Sequence, residues 1–168
     1  MSENKKIDKK TLLSRWHLKC RRNRHANYFA ANHFSKKHYQ LGVFSVSISA
    51  IVGSSVFASL GKIVEPSAQI IVGAFSILAA IMTALQTLLK YGERSAKHRD
   101  TGYRYGALVR QIEILFSKNE EDPDDRELEK LNDIIDEVAE SAPELPEKIW
   151  RRSLKRIPQK DVFFGQNE

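Results

Sequence analysis

The chain has one cysteine among its 168 residues, Cys20. One thiol excludes an internal disulfide and any metal site built from several cysteines. Basic neighbours can lower the pKa of a thiol, and Lys19 and Arg21 flank this one. A plain position on one face of a helix is the commoner role of such a residue, so we expect Cys20 to be unreactive.

Catalytic motifs are also missing from the sequence. It has no Gly-rich phosphate loop, no nucleophile elbow and no isolated pair of carboxylates in an apolar context. His17, His25 and His33 recur at an interval that turns a helix by about 80° beyond two full turns, so they do not converge on one metal ion. His38 and His98 have no cysteine or carboxylate at ligand spacing. We therefore predict no enzymatic activity, no catalytic residue, no metal site and no cofactor.

Charge is absent from two long stretches, residues 41–60 and 70–89. Each stretch would form a helix of about 30 Å, which matches the hydrocarbon thickness of a bilayer. The short connection at 61–69 holds a turn signal around Pro66. We predict a transmembrane hairpin. The alternative is a buried hairpin inside a soluble helical domain, which the many serines of the first stretch favour.

Basic residues bracket the two apolar stretches, and the net charge is +6. Between the stretches, Lys62 is the only lysine or arginine. The positive-inside rule then predicts a multi-pass membrane protein with both termini in the cytoplasm and 61–69 outside. Anionic lipid headgroups are the expected partner. Nucleic acid is the competing partner of a basic chain, but no recognition motif accompanies the charge, so direct nucleic-acid binding is not expected.

The sequence predicts an all-α fold, in which a two-transmembrane helical hairpin has long helices extending into a cytoplasmic helical domain. No proline or glycine interrupts 11–40, so this helix is expected to run into the first span. The predicted segments are a flexible N-terminus at 1–10, a cytoplasmic amphipathic helix at 11–40, transmembrane helix 1 at 41–60, an external loop at 61–69, transmembrane helix 2 at 70–89, a cytoplasmic helix at 90–118, C-terminal cytoplasmic helices at 119–157 and a tail at 158–168.

Apolar residues at three- and four-residue steps predict the packing faces of the helices outside the bilayer. We expect the acidic helix at 126–140 and the basic helix at 147–156 to pack on each other; the alternative lays the basic helix on the membrane surface. The predicted faces are Leu12, Leu13, Trp16, Cys20, Asn23, Ala26, Ala30 and Phe34; Tyr91, Tyr105, Leu108, Ile112, Leu115 and Phe116; Leu128, Leu131, Ile134, Ile135 and Val138; and Ile149, Trp150 and Leu154.

The apolar stretches carry stripes of small and hydroxyl side chains. In lipid such stripes let helices approach closely, and one hairpin buries only one stripe, so a second stripe predicts a homo-oligomer. The predicted helix-packing residues are Ala50, Ser54, Ala58, Gly73, Ser76, Ala80, Thr83, Ala84 and Thr87. The predicted pore-lining residues are Ser45, Ser49, Ser55 and Ser59. The alternative is that these serines bond to carbonyls of their own helix.

Basic residues after the second stretch form a candidate anion site. They are suited to hold an anionic nucleotide, and the alternative is that they meet lipid headgroups and enforce topology. The candidate residues are Arg94, Lys97, His98, Arg99 and Arg104.

Several segments flanking the hairpin have a familiar layout. They are RWH at 15–17, HYQLG at 38–42, YGERSAKHR at 91–99, YRYGAL at 103–108, and PELP at 143–146 followed by Trp150. With these blocks the chain resembles the SLATT family over about residues 15 to 157. This family comprises two-transmembrane effector domains associated with SMODS nucleotidyltransferases and SLOG sensors.

The resemblance implies an effector of bacterial anti-phage defence that oligomerises in the inner membrane and permeabilises it. In the family the trigger is a linked sensor, a nucleotide second messenger or a reverse-transcriptase partner. This sequence has no recognisable nucleotidyltransferase, SLOG or polymerase domain, so a separately encoded sensor or a nucleotide signal is implied. Two alternatives remain at this point: a non-conducting membrane adaptor that positions the cytoplasmic helices for a partner protein, and a soluble helical binder.

Overall fold

The computed structural model describes residues 8–61, 65–117 and 124–155. Every regular element in these ranges is a helix, which confirms the predicted all-α class. Some of the predicted segments lie wholly or partly outside the described residues. They include the tail, most of the flexible N-terminus, part of the external loop, and the first part of the C-terminal segment at 119–157. The helices are α1 (Lys9–Ser59), α2 (Pro66–Leu89), α3 (Tyr91–Ser117), α4 (Asp125–Ser141) and α5 (Glu147–Leu154).

The helix boundaries follow from local chemistry. Pro66 opens α2, where its fixed φ suits the first turn and its missing N–H removes no helical hydrogen bond. Lys90 has φ of +47°, in the left-handed region, and this single residue separates α2 from α3. Ala142 ends α4 in an extended conformation, and Pro146 is the N-cap of α5. Because α1 has no break, it covers both the predicted amphipathic helix and the first apolar stretch.

The chain divides into two units. Unit 1 combines Met1–Ala31 with Ala96–Glu168, and unit 2 is Asn32–Ser95. Helix α1 therefore contributes its first part to unit 1 and its remainder to unit 2. Unit 2 also contains α2 and the first turn of α3.

The core of unit 1 is built from α1, α3 and α4. Most of the predicted apolar faces are buried there, as the three- and four-residue steps require. Ile134 is an exception, since it is 40% exposed, and the part of α1 in unit 1 also buries two polar residues, His17 and Asn27. Helix α5 buries Ile149 and Ser153. The core residues are Leu13, Cys20, Tyr105, Leu108, Val109, Ile112, Leu128, Leu131, Ile135 and Val138.

In unit 2, the less exposed positions of the two apolar helices define a seam. Their spacing alternates mainly between three and four residues, the pattern of two helices packed side by side. Besides Gly42 and Gly53, which are also half-buried, the seam positions are Leu41, Ser45, Ile48, Val52, Ser55 and Ser59 on α1, and Ala68, Val72, Ala79, Met82, Gln86 and Leu89 on α2.

Large apolar side chains cover the rest of these two helices. Phe57, Ile70 and Leu88 are each more than two thirds exposed. Only 6% of the most apolar window of α1 is buried inside the protein, and none of the corresponding window in α2. The core helix of a soluble protein is mostly buried, so this exposure favours the transmembrane interpretation over the buried hairpin. The structure thus has two helices long and apolar enough to cross a membrane.

Candidate functional site

A hydroxyl pair joins α1 to α2 inside the hairpin. Ser45 is 8% exposed, and its Oγ lies 3.0 Å from Oγ1 of Thr83. Thr83 donates its own hydroxyl hydrogen to the carbonyl of Ala79 at 3.0 Å. Ser45 is therefore the donor in the pair. In lipid, where water offers no alternative partner, this hydrogen bond helps to fix the register of the hairpin.

The other predicted pore-lining serines have different surroundings. Ser55 donates to the carbonyl of Ile51, and Ser59 donates to that of Val56, so their hydroxyls are satisfied within α1. Both are half-buried along the seam, whereas Ser49 is exposed. Three of the four serines thus belong to the packing of the hairpin in this structure, and their role in a pore stays a prediction.

The predicted helix-packing residues have a clearer pattern. Thr83 is the member of the set that meets the opposite helix through a hydrogen bond. Like Thr83 itself, the other members are exposed, so no helix of the described structure covers these predicted packing positions. These exposed small residues are Ala50, Ser54 and Ala58 on α1, and Gly73, Ser76, Ala80, Ala84 and Thr87 on α2.

The seam opens into a groove near the connection between α1 and α2. The groove has a volume of about 570 Å³ and is lined on the α1 side by Ser55 and Ser59. Val72, Gly73 and Ser76 line the α2 side. Small side chains on both walls leave this space unfilled, so the two helices are less tightly packed here than around Ser45.

The start of α3 is held against α1 just after the break at Lys90. The ring of Tyr91 stacks on Phe34 with a centroid distance of 6.0 Å, and Nζ of Lys37 lies 5.3 Å from the centre of the Tyr91 ring. Gly92 gives the His38 ring room, because a Cβ there would lie 3.4 Å from its Cε1. Two of the segments that resemble SLATT blocks, HYQLG at 38–42 and YGERSAKHR at 91–99, therefore meet at this contact within unit 2.

Two residues of the candidate anion site serve the packing of unit 1 instead. Nδ1 of His98 donates to Oδ1 of Asn27 at 2.9 Å, since the Asn27 amide nitrogen already donates to the carbonyl of Asn23. Burial lowers the pKa of His98 below its usual value, so the ring is neutral at pH 7. The guanidinium of Arg104 binds Ser141 at 2.6 Å and Glu137 at 2.8 Å, linking α3 to α4.

The remaining members of that predicted set, Arg94, Lys97 and Arg99, are exposed. Arg94 belongs to unit 2, whereas Lys97 and Arg99 belong to unit 1. With His98 and Arg104 engaged in internal contacts, a shared role of the five residues in anion binding stays a prediction.

Cys20 lies in the core of unit 1. Burial raises the pKa of its thiol to about 11, and the nearby charge of Lys19 only partly offsets this effect. Burial also raises the pKa of Tyr105, another member of the same core. At neutral pH Cys20 is therefore a protonated thiol, which is a poor nucleophile.

A basic pocket lies between α1 and α3 in unit 1. It has a volume of about 400 Å³, and its lining is three arginines, one histidine, two tyrosines and one glycine. Tyr28 and Tyr103 meet edge to face, with their ring centres 5.6 Å apart. The lining residues are Arg21, Arg24, His25, Tyr28, Tyr103, Gly106 and Arg110.

From the sequence, these arginines are expected only to set the orientation of the hairpin in the membrane, and the pocket is not predicted. The sequence does contain the two faces that form the pocket. Arg21, Arg24 and Tyr28 have the spacing of one face of α1. Tyr103, Gly106 and Arg110 have the spacing of one face of α3. The sequence does not show that these two faces pack against each other, because the contact joins residues about eighty positions apart.

Within the described residues, no group of three histidine, cysteine, aspartate or glutamate side chains is arranged to hold a metal ion. No family model, no curated protein and no solved structure matches this chain. The resemblance to the SLATT family therefore stays a prediction, carried by the segments that flank the hairpin.

Proposed function

We propose that α1 and α2 span a membrane as a hairpin and that unit 1 lies in the cytoplasm. The exposed apolar surface of both helices is the observation that carries this proposal. Helix α2 alone, at about 1.5 Å per residue, is long enough to cross a hydrocarbon core of about 30 Å. Leaving so many large apolar side chains in water would be unfavourable, and a bilayer removes that exposure.

The charge distribution supports an orientation with both termini inside. Arginines and lysines are abundant before the first apolar stretch and after the second, whereas the connection between them has one, Lys62. Basic residues near a span resist translocation across the inner membrane of bacteria. The same residues would contact anionic headgroups on the cytoplasmic side.

Within the membrane, the protein acts as a homo-oligomeric effector that permeabilises the bilayer during anti-phage defence. Two features support this part of the proposal: the small side chains of Ala50, Ser54 and Ala58 face away from the seam, and those of Ala80 and Ala84 are also exposed. Helices approach closely at such surfaces, so a second copy of the hairpin suits them better than acyl chains do. The defence role is supported by the resemblance of the flanking segments to SLATT effectors.

Dye release from liposomes tests the permeabilising function. The protein is reconstituted into phosphatidylethanolamine–phosphatidylglycerol vesicles that hold a self-quenched dye. We expect wild type to release the dye and a Ser54→Leu/Ala80→Leu variant to release it at least about tenfold more slowly, because the larger side chains separate the packed helices. A Val56→Leu/Ile81→Leu variant is the matched control, since both positions are exposed and lie off the small faces at about 100° per residue.

Vesicles that keep their dye with wild type at high protein density would contradict the permeabilising function. That result would favour the second candidate function, a membrane adaptor for a partner protein. A specific feature supports the adaptor: an apolar depression of about 340 Å³ on unit 1, between α3 and α4, is lined by Ile114, Leu115, Leu131 and Ile134. Ile114 and Ile134 are 55% and 40% exposed, which is typical of a surface that docks another chain.

A further inference from the structure

Three arginines converge on the basic pocket from two helices. Arg21 and Arg24 come from α1 and Arg110 comes from α3, and no carboxylate of the described residues lines the cavity. Elsewhere in unit 1, Arg104 is paired with Glu137 and Arg151 with Glu147. In the described part of the chain, neither Arg24 nor Arg110 forms a salt bridge. Repulsion between the guanidinium groups of Arg24 and Arg110 is relieved when an anion enters between them.

A glycine makes the convergence possible. A Cβ on Gly106 would lie 3.4 Å from Cδ of Arg24 and 3.9 Å from Nη1 of Arg110. Gly106 is itself buried inside α3, where glycine is a weaker helix former than alanine. Its missing side chain leaves room at the place where the two arginine side chains approach each other, so the residue that weakens the helix also opens the pocket.

Aromatic side chains form one wall of the same cavity. Tyr28 packs on the backbone of α3 at Gly102, where a Cβ would lie 3.0 Å from the ring, and it supports Tyr103 edge to face. Tyr103 is 61% exposed, so much of its ring is available to a ligand. His25 completes the lining. The cavity thus offers a cationic part and an aromatic part, in a volume within the usual range for small-molecule sites.

We propose that this pocket binds a small phosphorylated molecule, with its phosphate on Arg21, Arg24 and Arg110 and its apolar or planar part against the tyrosines. Guanidinium groups match phosphate oxygens in charge and in bidentate geometry. A soluble phosphorylated metabolite and a phospholipid headgroup share this chemistry. The proposal does not depend on permeabilisation, because it concerns binding by unit 1 alone.

Calorimetric titration of the whole protein in phosphatidylcholine nanodiscs tests whether the pocket binds a soluble phosphorylated molecule. The probes are pyrophosphate, which presents phosphate only, and ADP, which adds a planar ring. We expect the Arg24→Gln/Arg110→Gln variant to bind both probes at least about tenfold more weakly than wild type, as lost charge-assisted hydrogen bonds require. The control Arg15→Gln/Arg126→Gln removes the same charge from exposed positions outside the pocket and should stay within about twofold of wild type.

Melting of unit 1, followed by circular dichroism, tests whether the pocket binds a phospholipid headgroup. Wild type and the Arg24→Gln/Arg110→Gln variant are compared in nanodiscs of phosphatidylcholine alone and in nanodiscs that contain phosphatidylglycerol. If a headgroup fills the pocket, phosphatidylglycerol raises the melting temperature of wild type and of the control variant but not of the pocket variant. A Gly106→Leu variant fills the cavity without changing charge and should abolish whichever response wild type gives.

The proposal is overturned if neither probe binds and phosphatidylglycerol does not stabilise wild type. It is equally overturned if the pocket variant and the control variant lose the same affinity, because general electrostatics would then explain the binding. Dye release is measured separately, so loss of the pocket and failure of the hairpin to permeabilise vesicles give different results.

Discussion

At the scale of single residues, hydrogen bonds between helices decide where polar side chains lie in unit 1. The periodicity of α1 correctly predicts Leu13, Cys20 and Ala26 as buried positions. It gives no indication that His17 and Asn27 are buried as well, since the partner of Asn27 is His98, far along the chain on α3. Polar pairing of this kind depends on the tertiary structure and leaves no periodic pattern in the sequence.

Burial makes Cys20 inert at neutral pH. With a thiol pKa of about 11, the native protein should not react with Ellman's reagent at about pH 8, and unfolding in guanidinium should release one reactive thiol. A Glu140→Cys variant supplies an exposed thiol on α4 as the positive control. Rapid labelling of Cys20 in the native protein would contradict its placement in the core.

The neutral state of His98 makes unit 1 less stable in acid. The pKa of folded His98 lies below its ordinary value of 6.5, so the unfolded state binds more protons in the interval between the two values. The contribution of neutral His98 to the free energy of unfolding should therefore be fully present above about pH 6.5 and should be lost as the pH drops below it. Thermal melts at about pH 7.5 and about pH 5 measure this, and a His98→Gln variant should show a smaller difference. Equal pH dependence in both proteins would contradict the assignment.

At the scale of helices, two glycines of α3 lie where side chains of α1 approach its backbone closely. Gly102 and Gly106 both weaken α3 as an isolated helix. The structure gives them different surroundings, since a side chain at Gly102 meets the packed ring of Tyr28 and one at Gly106 meets a flexible arginine. The sequence indicates only that such glycines are unusual, and the packing partner determines what each of them does.

This difference predicts opposite effects of the same substitution. Gly102→Ala should destabilise unit 1 by about 1–3 kcal/mol, because the methyl group overpacks against Tyr28. Gly106→Ala should be neutral or stabilise by up to about 1 kcal/mol through improved helix propensity. Chemical denaturation monitored by circular dichroism compares the two variants, and a larger loss at Gly106 than at Gly102 would contradict the described contact.

Lys90 holds the break between α2 and α3 in a left-handed conformation. A non-glycine residue there is strained by about 1–3 kcal/mol, so Lys90→Gly should stabilise the protein and Lys90→Ile should destabilise it. Thermal unfolding in nanodiscs measures both. If Lys90→Gly and Lys90→Ile destabilise equally, the residue is important for its charge near the bilayer and not for its backbone conformation.

At the scale of the whole molecule, the sequence predicts the two apolar helices well because their length and lack of charge are properties of contiguous residues. It predicts less well which stripe of each helix faces which partner. The sequence groups Ser45, Ser49, Ser55 and Ser59 in one stripe of α1, and only the structure shows that three of them lie in the hairpin seam while Ser49 is exposed. The stripe with Ser54 at its centre is then the one left exposed.

The proposed hairpin crosses the inner membrane and leaves unit 1 in the cytoplasm. The most direct test is labelling of single cysteines in spheroplasts by a maleimide attached to a polymer too large for a pore. Glu65→Cys at the start of α2 and Glu140→Cys on α4 supply the two exposed reporters, against the unreactive background of Cys20.

We predict that Glu65→Cys is labelled in intact spheroplasts and that Glu140→Cys is labelled only after the membrane is opened with detergent. A protein with both cysteines labelled on the same side of the membrane, or recovered in the soluble fraction without detergent, would contradict the transmembrane hairpin.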